Sequence, residues 1–184
     1  MSEATVLLTA VEQGDSKAAA ELLELVYDEL RHLASAKMAQ QAPGQTLQST
    51  ALVHEAWLRL VGAKNPTFRN STHFFAAAAE AMRHILIDRA RRKKTERHGG
   101  RSERVEFEEF EIAASSPDDE LLAVHEVLDA FSVQYPVHAE LVKLRYFAGM
   151  TNEEASGVLG ISLTKAKNHW NFSRAWLFQE IRSK

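Results

Sequence analysis

Apolar residues recur at helical spacing along almost the whole chain, and alternating strand-like patterns are nearly absent. In the first half the spacing predicts four helices, at about residues 5–13, 16–38, 49–61 and 71–94. In the second half it predicts four more, at about residues 118–131, 137–147, 151–159 and 162–181. The pattern therefore predicts an all-α protein with two small helical domains, residues 1–94 and 118–184, joined by a flexible acidic linker at 95–117.

The last two predicted helices have the turn chemistry of a helix-turn-helix. Thr151 and Glu154 have capping-box spacing, Gly160 suits the turn, and Ser162 is a favourable N-cap for the second helix. One face of that helix is apolar, with Leu163, Ala166, Trp170, Leu177 and Ile181. The other face offers polar groups, with Thr164, Lys165, Lys167, Asn168 and Asn171. A DNA recognition helix needs this division, although a plain amphipathic helical hairpin has it too.

Charge is distributed unevenly, although the formal net charge is only -3. Nine Lys and Arg residues lie between Arg83 and Arg104, with only three acidic residues among them. The following stretch, residues 105–129, contains no Lys or Arg and nine Asp or Glu. The basic block indicates a phosphate-binding surface, or else a set of cations at the C-terminal end of a helix. Four of these nine acidic residues fall in the predicted linker, and the other five fall in the helix predicted to follow it.

Several classes of protein are disfavoured by composition. The chain has no cysteine, which excludes disulfides and thiolate metal sites. Its eight histidines are scattered, and neither an HExxH motif nor a Gly-rich phosphate loop is present. No signal peptide and no membrane-spanning apolar run is apparent. We therefore expect a soluble cytoplasmic protein that is not an enzyme and needs no metal or cofactor.

A series of motifs in the chain resembles the extracytoplasmic-function (ECF) type of sigma-70 family sigma factor, which has only sigma regions 2 and 4. The motifs are YDELR at 27–31, TALVHEAWLRL at 50–60, HFFAAA at 73–78, IDRARR at 87–92, LGIS at 159–162 and RAWL at 174–177. The resemblance implies sigma region 2 at residues 1–94 and sigma region 4 at residues 118–184. It also implies an alternative sigma factor that binds core RNA polymerase and promoter DNA to initiate transcription.

The resemblance assigns roles to residues of the first domain. In the third helix it implies polymerase contacts by Leu52, His54, Glu55, Leu58 and Arg59. Glu55 and Arg59 could equally be a surface ion pair within one helix. The loop before the fourth helix would capture a flipped base of the minus-ten element with Asn65, Phe68, Arg69, Asn70 and Ser71. Phe68 could equally be a core residue. The fourth helix would turn toward DNA with Arg83, His84, Ile87, Asp88, Arg91 and Arg92.

In the second domain the resemblance implies that Thr164, Lys165, Lys167, Asn168 and Asn171 read the minus-thirty-five element. Lys165 and Asn168 stand where relatives usually have Thr and Arg, so we expect an altered promoter preference. Ser49 and Thr50 stand where many relatives have an acidic pair. The resemblance further implies a linker that threads through polymerase, a monomeric free protein and an anti-sigma factor as inhibitor.

One alternative remains open at this point. A conventional helix-turn-helix regulator would bind a palindromic operator as a dimer, without polymerase. Such a regulator would account for the second domain. It would not account for the basic fourth helix or the acidic linker.

Overall fold

The structure, a computed structural model, describes residues 3–39, 49–62, 68, 70–99 and 117–183. Within these ranges every regular element is helical, which confirms the all-α prediction. The helices are α1 (Glu3–Glu12), α2 (Ser16–Ala39), α3 (Ser49–Val61), α4 (Ser71–Gly99), α5 (Pro117–Gln134), α6 (Pro136–Val142), α7 (Asn152–Leu159) and α8 (Leu163–Arg182). A π-helical segment, Lys143–Phe147, continues α6. Residues 100–116, which include most of the predicted linker, lie outside the described residues.

The basic block belongs to α4 over most of its length, because this helix ends at Gly99 and not near Lys94 as the sequence predicts. Lys and Arg are good helix formers, and their charges interact favourably with the C-terminal end of the helix dipole. The cations are therefore presented along a continuous helix. The predicted domain limits at residues 94 and 118 remain a prediction.

The first four helices pack in sequence, α1 on α2, α2 on α3 and α3 on α4. Their core contains large side chains that are almost completely inaccessible to solvent, among them Leu22, Leu30, Leu52, Phe74 and Met82. Trp57 of α3 meets Phe74 of α4 edge to face, with ring centroids 6.4 Å apart. Apolar burial along these faces is what holds the four helices together.

The last four helices surround a second set of buried side chains, including Leu128, Phe131, Leu141, Leu144 and Phe147. Phe131 of α5 stacks on Trp176 of α8 with ring centroids 4.7 Å apart. This contact positions the C-terminal half of α8 against α5. Helix α8 also packs on α7 and α6.

Helix α4 joins the two sets of helices directly. One side of it packs on α3, and other sides contact α5, the π-helical segment and α7. Ala79, Ile87 and Ala90 are consequently buried together with the expected core residues. Ile87, predicted to face DNA, is only 1% exposed, so this prediction is wrong for the arrangement seen here. Helix α4 carries apolar residues on more than one side, and such residues are normally covered by neighbouring elements.

Candidate nucleic-acid and polymerase interface

The helix-turn-helix forms through the local contacts that its sequence predicts. The Thr151 backbone N–H donates to Glu154 Oε2 at 2.7 Å, and the Glu154 backbone N–H donates to Thr151 Oγ1 at 3.2 Å. Gly160 has a φ of 64°, a left-handed conformation that ends α7 and favours glycine. Ser162 Oγ then accepts a hydrogen bond from the Lys165 backbone N–H at 3.2 Å. The start of α8 is thereby fixed relative to α7.

Helix α8 has one packed face and one open face. Ala166, Ser173 and Leu177 are buried. The five predicted DNA contacts on this helix are all exposed, namely Thr164, Lys165, Lys167, Asn168 and Asn171. Leu163, predicted on the packed face, is instead 39% exposed, because it lies at the first turn of the helix, beyond its packed face. The open face is therefore accessible to a DNA groove.

Two histidines stack beside this open face. His138 of α6 and His169 of α8 have ring centroids 3.8 Å apart. Partial burial lowers the pKa of both imidazoles, and the positive charge of Lys165 lowers each pKa further. His169 also lowers the pKa of His138. The stack therefore favours neutral rings, and it supports the helix turn that carries Asn168.

A partly buried guanidinium lies against Trp170, in the middle of α8. Arg145 of the π-helical segment stands over the Trp170 ring, with its Cζ 3.9 Å from the ring centroid. Its Nε and Nη1 are buried and have no hydrogen-bond partner among the described residues. Burial and the nearby charge of Arg174 lower the pKa of Arg145. The cation–π contact orients Trp170, a relationship for which the sequence pattern gave no signal.

The predicted polymerase-binding residues of α3 divide into two groups. His54, Leu58 and Arg59 are exposed, and Leu58 has 60% of its surface accessible. Glu55 is half-buried, and Leu52 is completely buried in the core. A partner can therefore contact every predicted residue of this group except Leu52 without a change in packing.

The predicted base-capture loop is described in part. Phe68 is 7% exposed and meets Phe74 edge to face, with ring centroids 5.4 Å apart, so it is a core residue in this arrangement. Asn70 is exposed, and its Oδ1 accepts a hydrogen bond from the His73 backbone N–H at 2.9 Å, which caps α4. Asn65 and Arg69 lie outside the described residues, as does the side chain of Ser71.

The predicted DNA contacts of α4 are found in two environments. His84, Arg91 and Arg92 are exposed, and Asp88 is half-exposed. His84 Nε2 lies 3.2 Å from Glu80 Oε1. Arg83, in contrast, is 3% exposed and lies between α4 and α5. In this arrangement Arg83 is not accessible to DNA.

Arg83 is surrounded by hydrogen-bond acceptors. Its Nη1 donates to Glu80 Oε1 at 3.0 Å, its Nη2 to Asp129 Oδ1 at 2.8 Å and its Nε to His125 Nδ1 at 3.0 Å. The hydrogen bond from Arg83 lowers the pKa of the Asp129 carboxyl. Burial, followed by the charges of Arg83 and Arg91, lowers the pKa of His125. Neither motif nor spacing in the sequence indicates Glu80, His125 or Asp129 as partners of Arg83.

Two further kinds of feature are absent from the part of the chain that the structure describes. No group of three or more His, Asp or Glu residues there could hold a metal ion. No helix there is long and apolar enough to cross a membrane.

Comparison with known families covers nearly the whole chain. The family profile described as ECF sigma factor matches residues 1–183, although no curated protein matches the sequence. This match includes both helical sets, the exposed face of α3 and the helix-turn-helix. Members of this family are regulatory and not enzymatic, and they bind core RNA polymerase and promoter DNA. The chain therefore belongs to the ECF sigma factor family, and its function is that of an alternative sigma factor in transcription initiation.

Proposed function

We propose that the two helical sets divide the work of promoter recognition. The exposed residues of α3 bind core RNA polymerase, α4 contacts and helps to open the minus-ten element, and the open face of α8 reads the minus-thirty-five element. The observation that carries this proposal is the capped α8 with five exposed polar side chains on its outer face. This is the geometry that a helix needs in order to enter the major groove.

The chemistry of α8 supports direct base contacts near its N-terminus. Lysine contacts phosphates or the acceptor atoms of guanine, and asparagine pairs with adenine through two hydrogen bonds. Lys165 and Asn168 are both exposed within the first two turns. We infer that these two side chains determine the promoter preference of this protein.

The partner requirements follow from the same division. The free protein is a monomer, and an anti-sigma factor is its inhibitor where one exists.

The decisive experiment is co-purification of the tagged protein with core RNA polymerase, followed by run-off transcription on a library of promoter fragments. Binding together with new start sites is the expected result. Tight binding to a palindromic duplex without polymerase would instead identify a conventional helix-turn-helix regulator.

A further inference from the structure

Phe172 is a large apolar side chain on the open face of α8. It lies four residues after Asn168 and seven after Lys165, a spacing that puts all three on one side of the helix. All three side chains are exposed, and 42% of the Phe172 surface is accessible. A helical side chain leans toward the N-terminus, over the turn that precedes it. Phe172 therefore extends toward Asn168, to which we assign a base contact.

The Phe172 ring is held in place by aromatic neighbours. Tyr135, between α5 and α6, meets it with ring centroids 4.9 Å apart and an interplanar angle of 67°. His138 of α6 meets it at 5.1 Å and 63°. The His138 ring in turn stacks on His169 of α8. Because edge-to-face pairs of this kind favour one ring orientation, one side of Phe172 is packed while the rest of its surface stays open.

The chemistry of Phe172 differs from that of its neighbours on the open face. The other exposed side chains there all carry hydrogen-bonding groups or charge, namely Thr164, Lys165, Lys167, Asn168 and Asn171. Phe172 offers neither, and water is an unfavourable environment for its ring. In the major groove the apolar group that a base presents is the C5-methyl group of thymine, and phenylalanine is suited to contact it.

We propose that Phe172 is a specificity-determining residue, which packs on the C5-methyl group of a thymine in the minus-thirty-five element. The inference rests on the proposed function of the open face of α8. One helical turn rises about 5.4 Å and successive base pairs about 3.4 Å, so the thymine lies about one or two base pairs from the base that Asn168 contacts. Phe172 thereby adds a preference that hydrogen bonds from Asn168 and Lys165 do not provide.

Replacement of thymine by deoxyuridine tests this contact at the level of one methyl group. Deoxyuridine keeps the pairing and the O4 acceptor of thymine and lacks only the methyl group. Each thymine of the minus-thirty-five element is replaced in turn, on either strand, in a promoter whose use depends on Lys165 and Asn168. Run-off transcription by core RNA polymerase with the full chain is measured on both templates at a subsaturating concentration of the protein. The readout is the ratio of the two transcripts for one protein, so differences in folding or polymerase affinity between variants cancel.

The parent should lose about fourfold in transcript at one thymine position, the factor that burial of one methyl group contributes. Phe172→Ala should show no loss there, because nothing remains to cover the methyl group. Phe172→Leu keeps an apolar side chain and should retain a loss of at least about twofold. The matched control is Phe178→Ala, which removes another phenylalanine of α8 that is 63% exposed and lies six residues further along. This control should show the same loss as the parent.

Three results would overturn the inference. The parent could transcribe every deoxyuridine template as well as the thymine template, the methyl effect could persist unchanged in Phe172→Ala, or it could vanish equally in Phe178→Ala. Failure of the proposed function looks different, because the protein would then direct no factor-dependent initiation, or promoter use would not change in Lys165→Ala and Asn168→Ala. In that case the thymine contact fails together with the function. A missing methyl effect on a promoter that does depend on Lys165 and Asn168 overturns the Phe172 contact alone.

Discussion

Arg59 of α3 lies 3.3 Å from Asp88 of α4, and the same Nη2 atom lies 3.2 Å from Glu55. One guanidinium therefore joins the predicted polymerase-binding helix to the helix that we assign to the minus-ten element. Glu55 and Arg59 form the ion pair that their spacing predicts, but the pair is not confined to one helix. Because all three side chains are partly exposed, this contact contributes little to stability and more to the relative orientation of the two helices.

Leu58 provides the most selective test of polymerase binding. Because it is 60% exposed, Leu58→Asp should change the free energy of unfolding by less than about 0.5 kcal/mol. Co-purification with core polymerase should nevertheless fall at least about tenfold, because an exposed apolar anchor is replaced by a charge. The matched control is Leu25→Asp at an exposed position of α2. Equal loss of binding in both variants would argue against a specific α3 surface.

A substitution of Leu52 should lower stability and leave polymerase affinity unchanged, the reverse of the result expected for Leu58. This side chain is completely buried, so Leu52→Ala should lower the free energy of unfolding by about 2–5 kcal/mol. Urea denaturation measures this change. Under conditions where the variant remains folded, polymerase affinity should stay near that of the parent. If Leu52→Ala lost polymerase affinity while its free energy of unfolding stayed unchanged, Leu52 would be a polymerase contact and not a core residue.

Promoter preference should change when the outer face of α8 is altered. Lys165→Ala and Asn168→Ala each remove a side chain suited to a base edge, and one such contact changes discrimination by about 1–3 kcal/mol. Run-off transcription on upstream-element variants measures the effect, and polymerase binding should be unchanged. Gln179→Ala, exposed near the C-terminal end of α8, is the control. If the parent, the two variants and the control all used the same promoters equally, Lys165 and Asn168 would not contact the upstream element.

The salt dependence of open-complex formation should report on the basic end of α4. Replacement of Arg91 and Arg92 by Ala should reduce the slope of log affinity against log salt by about 1–2, since each phosphate contact contributes about 0.9. Lys17→Ala with Arg31→Ala removes two exposed cations from α2 and should leave the slope unchanged. If both double variants reduce this salt slope equally, the change results from the lower net charge and not from lost phosphate contacts of α4.

Acid should destabilise the second helical set through the stacked histidines. The pKa of His138 and of His169 is lowered on folding, so both rings bind protons more readily in the unfolded chain. Their contribution to stability is fully present above about pH 6.5 and is lost progressively as the pH falls below that value. His169→Gln should flatten the pH dependence of urea unfolding between about pH 5 and 8.

The helix caps and the polar face of α8 could be predicted because they depend on neighbouring residues. Thr151 reaches Glu154, and Ser162 reaches Lys165, within one turn of the chain. Such contacts are fixed by residue type and spacing, so capping chemistry predicts them well. The prediction for Leu163 is wrong, because helical periodicity identifies the apolar face of α8 but does not show how far along the helix neighbouring helices cover that face.

The surroundings of α4 could not be predicted in this way. The family resemblance implies that Arg83 faces DNA, and the sequence alone indicates neither Asp129 nor His125 as its partners. Apolar residues on more than one side of α4, among them Ala79 and Ile87, indicated that more than one side of this helix is buried. They do not indicate which helix covers them.

By itself, the sequence determined the helical class, the capped helix-turn-helix and the family, since all three depend on residue type, short-range spacing and motif order. The tertiary structure alone decided that Arg83 is buried, that Phe68 and Leu52 are core residues and that Arg59 links α3 to α4. The physical reason is that burial and ion pairing depend on distances between residues far apart in the chain. Those distances are set by how whole helix faces pack, and no local pattern encodes them.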